Sequence, residues 1–344
     1  DEVRSAARST SAMFMAGWRA RDTMVELSYE WADTADALFA GAGMDAPEST
    51  AQILRLQTER PAVEGRLGWH VDAFANTVDH LMDNFSLRPL RAPMALEVPT
   101  ETSTMGLRGH LELGGRLPFL LGVTVEQADA EATRFGGPDP ENISMIQSIM
   151  WPDVERRQVG LFAEGVSRLG AQTRLVFGLR IDQFTADTGR ADEATMGGNG
   201  PTPRQLWTRY YGDNEVSWSG TDVGGLLRFE HATGSWSLNA GVSRTARVAD
   251  ATERYLGANS SMAPMRWVGN PALEPARFHQ LDLGAGWSSG GSRFDAALFA
   301  ADVDGFLLAD RARGQSGIEQ VDGARIYRNV DARRYGFELD GVVR

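Results

Sequence analysis

The sequence has no cysteine and no lysine, and histidine occurs only five times. Lack of cysteine excludes disulfides, thiolate metal sites and thiol nucleophiles within the chain. Lack of lysine makes every basic side chain an arginine. Acidic residues outnumber basic ones 46 to 34, for a formal charge of -12. Nucleic acid is therefore not an expected partner, because a nucleic-acid binder presents a basic face. Nowhere does an apolar run approach the roughly 18 to 20 residues of a membrane-spanning helix. Barrel strands escape that test, since their apolar residues occupy alternate positions only. No His-Glu-x-x-His, Gly-x-Ser-x-Gly or phosphate-binding loop occurs, so no catalytic group can be nominated and an enzyme is not expected.

What the chain does contain is alternation. In residues 21–31, Val25, Leu27, Tyr29 and Trp31 alternate with Met24, Glu26, Ser28 and Glu30. From residue 63, odd positions read Val63, Gly65, Leu67, Trp69, Val71, Ala73 and Ala75, against Glu64, Arg66, Gly68, His70 and Asp72. Similar patterns cover residues 52–59, 103–113, 119–126, 158–167, 172–182, 216–230, 235–247, 278–287, 292–303 and 326–339. Some connections are short, such as Gly114-Gly115, Leu169-Gly170-Ala171 and Ser288-Ser289-Gly290-Gly291. Others are long and rich in Gly, Pro and Asp, around residues 41–47, 83–102, 136–152, 185–214, 249–275 and 309–323. Long antiparallel strands joined by alternately short and long connections describe an all-β transmembrane barrel. A soluble β-sandwich for adhesion or carbohydrate binding shares the alternation and is the alternative of another class. Trp18, Trp31, Trp151, Trp207, Trp218 and Trp267 stand near strand ends, where an interfacial aromatic girdle would sit. The chain begins and ends in strand pattern, so residues 1–344 are expected to be a partial barrel.

One pair of residues stands out chemically. His80 and Met82, in Val78-Asp79-His80-Leu81-Met82-Asp83-Asn84, are two apart on a strand and so share a face. An imidazole and a thioether together suit a soft metal such as copper, above all Cu(I). Parity places both on the polar face, unless a bulge near Asn76 reverses it. Loop methionines, among them Met44, Met94, Met105, Met196, Met262 and Met265, are either a capture track or plain packing residues. Asp302 and Asp304 lack the oxygen-rich loop that Ca²⁺ requires.

The last quarter resembles the TonB-dependent outer-membrane receptors. Asn270-Pro271-Ala272-Leu273-Glu274-Pro275 is similar to their Asn-Pro-x-Leu-x-Pro motif, followed by Gln280-Leu281-Asp282-Leu283-Gly284. Asn329-Val330 through Ala332, Gly336 and Glu338 resembles the segment after it. In these motifs the prolines would set strand entry, Gly336 would permit close approach and Glu338 would face the lumen. Tyr29 to Trp31, Asp36 to Asp45, Val78 to Arg88 and Thr100 to Gly109 resemble the copper-receptor branch, whose His-x-Met strand end coincides with His80 and Met82. The resemblance implies part of a 22-stranded barrel in the outer membrane of a Gram-negative bacterium, with short periplasmic turns and long extracellular loops. It implies import of copper powered by the TonB system through an N-terminal plug, and it implies contact with outer-membrane lipid. The plug, which in this branch supplies a Cys/Met pair of ligands, and the last strands are expected to lie outside this chain. A siderophore or other metal-chelate receptor is the alternative cargo class on the same fold.

Overall fold

In the computed structural model, residues 5–63, 66–114 and 118–343 are described. The expectations for Glu64, Gly65 and Gly115, and for the chain's extreme termini, lie outside them. The wall strands are β1 (Ala6–Ala20), β2 (Thr23–Leu38), β3 (Asp45–Arg60), β4 (Gly68–Asp83), β5 (Ala95–Leu113), β6 (Phe119–Gly137), β7 (Met145–Arg168), β8 (Thr173–Thr188), β9 (Ser217–Thr233) and β10 (Trp236–Arg247). Two short strands follow, β11 (Gly257–Ala258) and β12 (Trp267–Val268), and then β13 (Ala276–Ser289), β14 (Ser292–Arg311) and β15 (Arg325–Val342). All fifteen form one sheet, with sequential wall strands as neighbours, β10 beside β13, and β12 and β11 continuing past β15. Every pairing between wall strands is antiparallel. A single sheet with two dissimilar faces replaces the sandwich alternative.

Cross-strand register carries each face around the wall. Val25, Leu27, Tyr29 and Trp31 lie opposite Thr58, Leu56, Leu54 and Gln52, which lie opposite Val71, Ala73, Ala75 and Thr77. Farther along, Val125, Val159, Gln183 and Thr221 share a row, with Val123, Leu161, Ile181 and Val223 in the next. In these rows Val125, Val159, Leu161, Ile181 and Val223 are exposed, Leu161 at 56%, as a lipid-facing band requires. Trp18, Trp69, Trp236 and Trp287 share this face near the short turns, forming a girdle there. Toward the long loops the same face turns acidic, with Asp33, Asp79, Glu101 and Glu131 at the same parity.

The opposite face is polar. Arg55 holds Asp72 through two hydrogen bonds of 2.8 and 2.5 Å. Arg180 reaches Asp182 and Thr124, each at 2.6 Å, and Gln158 donates to Asp182 at 2.8 Å. Glu338 pairs with Ala297 on this inner face, and a Cβ on Gly336 would stand 2.5 Å from the Phe299 ring. Both features agree with the expected scaffold roles.

The strands run farther toward the long loops than alternation indicates. β2 continues to Leu38, beyond the alternation that ends at Trp31, and β7 begins at Met145, inside the stretch 136–152 expected as a loop. Beyond the lipid band either both faces are polar, as at Asp33 to Asp36, or apolar residues such as Ile149 and Trp151 turn toward the loops, so the period-two signal disappears while the hydrogen-bonded ladder continues.

Two expected loops contain helices: α1 (Pro203–Tyr211) and α2 (Ala251–Tyr255). Thr202 and Gln205 make a capping box for α1, which ends at Gly212 with φ of 70°, while Asp250 and Glu253 cap α2. Together with residues 312–324 they build a cap over the strand ends. Its core holds Leu206, Trp207, Tyr210, Tyr255, Val268 and Ile326, continuous with Val154 and Ala186 of the wall. Trp207 therefore fills this core, Trp218 lies under the Arg254 guanidinium at 4.3 Å, and Trp267 stacks on Tyr327. Trp151 donates to Thr252 at 3.1 Å, so four of the six candidate girdle tryptophans instead serve the cap. Tyr211 donates to the Val268 carbonyl at 2.7 Å and accepts from the Tyr327 N–H at 3.1 Å.

Two outcomes are expected of the protein in detergent. Leu161→Arg, within the apolar band, costs about 2–4 kcal/mol of barrel stability in a denaturant titration, whereas Glu101→Arg above the band costs about 0–1 kcal/mol. Burial raises the phenols of Tyr211 and Tyr255 above the ordinary tyrosine value. Unfolded phenols ionise near about pH 10, so this part of the cap's stability is complete below that pH and is lost as pH rises beyond it. Tyrosinate absorbance should show a late-titrating class that appears together with loss of near-UV dichroism. A single class near about pH 10 would contradict the packing.

Candidate metal site at the mouth of the barrel

His80 and Met82 lie on β4, which pairs with β5 in unbroken register from Gly68 to Asp83. No bulge occurs at Asn76, so parity holds along the strand. The one irregularity beside β4 belongs to β3, between Asp45 and Glu48. His80 stands opposite Ser49 and Thr100, and Met82 opposite Val98, all on the inner face. Both are half-buried. Two residues of strand separate their Cα atoms by about 7 Å, close enough for an imidazole nitrogen and a thioether to meet at one ion. Both occupy the long-loop end of β4, level with the acidic collar and above the lipid band.

A hollow of about 570 Å³ adjoins His80 and is lined also by Glu48, Asp79, Glu101 and Glu131. Those carboxylates have the opposite parity and project from the outer side of the wall, so they are not companions of the imidazole. Among the described residues, no group of three or more His, Asp or Glu side chains is arranged to hold a metal ion. What the wall offers at this point is an imidazole and a thioether two residues apart on one face of β4. Asp302 and Asp304, set aside as a Ca²⁺ site, pair with Arg333 at 2.8 Å and with His279 at 3.4 Å.

The family model described as "TonB dependent receptor-like, beta-barrel" matches residues 10–344. The chain belongs to the TonB-dependent receptor family. Such receptors are outer-membrane β-barrel transporters of Gram-negative bacteria and not enzymes. Among curated proteins none matches the sequence. Similar solved structures include the copper transporter OprC, with 22% identity and a TM-score of 0.77 over 98% of this chain and 50% of that one. The Serratia marcescens hemophore receptor HasR follows with 16% identity and a TM-score of 0.72, over 97% of this chain and 52% of that one. The ferric citrate transporter FecA has 11% identity and a TM-score of 0.66, over 98% and 48%. The receptor chain thus spans about half the length of these structures, and identities this low establish the shared fold alone.

Beside the two donors, the receptor ties its mouth with a clasp that alternation does not reveal. Arg88 grips the buried Asp45 carboxylate at 2.8 and 2.5 Å and donates to the Ala42 carbonyl at 2.8 Å. Asp83, next to Met82, accepts from the Phe85 and Ser86 N–H groups at 3.0 and 2.8 Å. Asn84 donates to the Met94 carbonyl at 3.1 Å and accepts from the Leu96 N–H at 2.9 Å. Residues of the Asp83–Arg88 stretch therefore fix the loops flanking His80 and Met82. The only sequence sign of this is Asp83 followed by Ser86 at turn spacing. Arg88→Ala removes the guanidinium from a buried carboxylate and is expected to cost roughly 3–5 kcal/mol. Loops 39–44 and 84–94 should then become protease-sensitive, a change that leaves cap loop 189–216 protected.

Proposed function

We propose that this chain is the wall of a receptor that imports copper, with His80 and Met82 holding Cu(I) at the extracellular mouth. The observation that carries the proposal is the placement of an imidazole and a thioether on one inner face of β4, at its long-loop end. That donor set favours a soft, low-coordinate cation over a hard one. Two ligands leave the shell incomplete, and the family resemblance assigns the remainder to a Cys/Met pair on the plug. Energy delivered by the TonB system to the plug would separate the two half-sites and release the ion inward. Likeness to OprC, a copper transporter, supports the same assignment.

Uptake of an iron chelate or haem is the second proposal, favoured by the likeness to HasR and FecA. Recognition of an organic shell calls for free aromatic and arginine groups in the loops. Here Trp207 and Tyr255 are fully buried in the cap and Arg254 is spent on the Pro271 and Leu273 carbonyls, which favours the bare ion.

Copper bound to the purified full-length receptor, measured by elemental analysis and by Cu(I) competition titration, is expected to be lost in the His80→Ala/Met82→Ala variant. Unchanged stoichiometry and affinity would rule out this pair as the site. Binding of a ferric chelate by a receptor that takes no copper would establish the second proposal.

A further inference from the structure

No spacing in the sequence links His70 with His110, yet the fold sets them side by side. They are direct cross-strand partners on β4 and β5, with ring centroids 5.2 Å apart and planes inclined by 16°. Both share the inner-face parity of His80, but they lie at the other end of the wall, beside the short connections. In outer-membrane barrels that end is periplasmic. A carboxylate faces one nitrogen of each ring, within hydrogen-bond distance at His110 and at ion-pair distance at His70. Glu59 stands 3.5 Å from His70 Nδ1, and Glu112 stands 3.2 Å from His110 Nε2. Among the described residues, His70 Nε2 and His110 Nδ1 have no hydrogen-bond partner.

Two imidazoles, each with one nitrogen facing a carboxylate and the other free, reproduce the way proteins prepare histidine for a metal. The carboxylate fixes the tautomer and makes the free nitrogen more basic. Cross-strand Cβ atoms stand about 4.5–5.5 Å apart, a span from which both rings can turn toward one ion. Nitrogen ligands bind at about 2.0–2.1 Å, so the two free nitrogens need approach only to about 4 Å or less. The pair is also partly shielded, with side-chain exposures of 26% for His70 and 18% for His110. The nearest carboxylate in the next inner layer, Asp72, is already engaged by Arg55.

We propose that His70 and His110 form a metal site at the periplasmic end of the barrel. It would bind a borderline divalent cation through two imidazole nitrogens, with Glu59 and Glu112 as positioning residues. An all-imidazole donor pair suits Cu²⁺, Ni²⁺ or Zn²⁺, with Cu²⁺ the tightest of these, and so differs from the thioether-containing mouth. His70 and His80 lie on the same face of the same strand, ten residues and about 33 Å apart. If copper is the cargo, β4 presents an imidazole at both ends of its path. The site stands without that condition.

The test uses the full-length receptor in detergent, carrying His80→Ala/Met82→Ala so that the mouth is silent, titrated with Cu²⁺ and read by electron paramagnetic resonance. An axial Cu²⁺ signal with nitrogen hyperfine structure is expected. It should disappear on adding His70→Gln/His110→Gln, and Glu59→Gln/Glu112→Gln should weaken binding about 10–100-fold. A nitrogen signal and affinity that persist without the histidine pair would overturn the proposal, as would absence of any such signal in the parent. Heat-modifiable migration checks that each variant is folded. Should the double histidine variant fail that check, His110→Asn alone decides through loss or persistence of the signal. Because copper capture at the mouth is measured separately, failure of one site does not imply failure of the other.

Discussion

In a bilayer no water is available to satisfy backbone amides, so each wall strand must spend its N–H and C=O groups on its neighbours. That requirement governs everything else in this chain. It forces long, regular, antiparallel ladders, and regular ladders lock parity: once one residue of a strand faces lipid, all the others are assigned. The interior position of His80 and Met82 follows from Trp69, Val71 and Ala73 facing outward on the same strand. The same logic brings His70 against His110, forty residues away in sequence. Chemistry on the inner wall is thus a by-product of hydrogen-bond bookkeeping on the backbone.

Above the membrane the constraint relaxes and ordinary globular physics takes over. The ladder persists, but the segments between strands bury their own apolar side chains, and the cap around Trp207 and Tyr255 is a small core of the soluble kind. It is fastened to the wall by polar contacts as well: Tyr255 donates to the Ala186 carbonyl at 3.1 Å, and Ser148 donates to the Gly257 carbonyl at 2.7 Å. The mouth near β4 is built differently. There the loops are shorter than those of the cap and are held by Arg88, Asp83 and Asn84 rather than by a hydrophobic centre.

The sequence makes the lipid-facing half of each strand legible, because apolar and polar residues alternate wherever one face meets lipid and the other does not. It also makes the order of short and long connections legible, from Gly, Pro and Asp content. It conceals strand ends such as Ala32 to Leu38 and Met145 to Trp151, where both faces are polar or where apolar side chains turn toward the cap. The helix from Pro203 to Tyr211 carries a Thr202/Gln205 capping signal, but a nine-residue helix inside a Gly- and Asp-rich loop is easily read as loop. His80 and Met82 are visible as a pair because they are neighbours in sequence. His70 and His110 are not, since their proximity depends on a register that no local pattern encodes. Asp45 and Arg88 are hidden for the same reason.

The shared cap core has an evolutionary consequence. Tyr210 comes from one loop, Val268 from a second and Ile318 from a third, and all pack into one centre. A loop that stood alone could lengthen, shorten or change composition without disturbing its neighbours. Here an insertion between Ala312 and Ala324 would unseat Ile318 and disturb the seat of Tyr210, whose hydroxyl donates to Asp322 at 2.7 Å. Change in these three segments must be concerted. The loops around Met44 and Met94 stand outside that core but are tied to each other through Arg88, so they are free to vary as a pair without disturbing the cap.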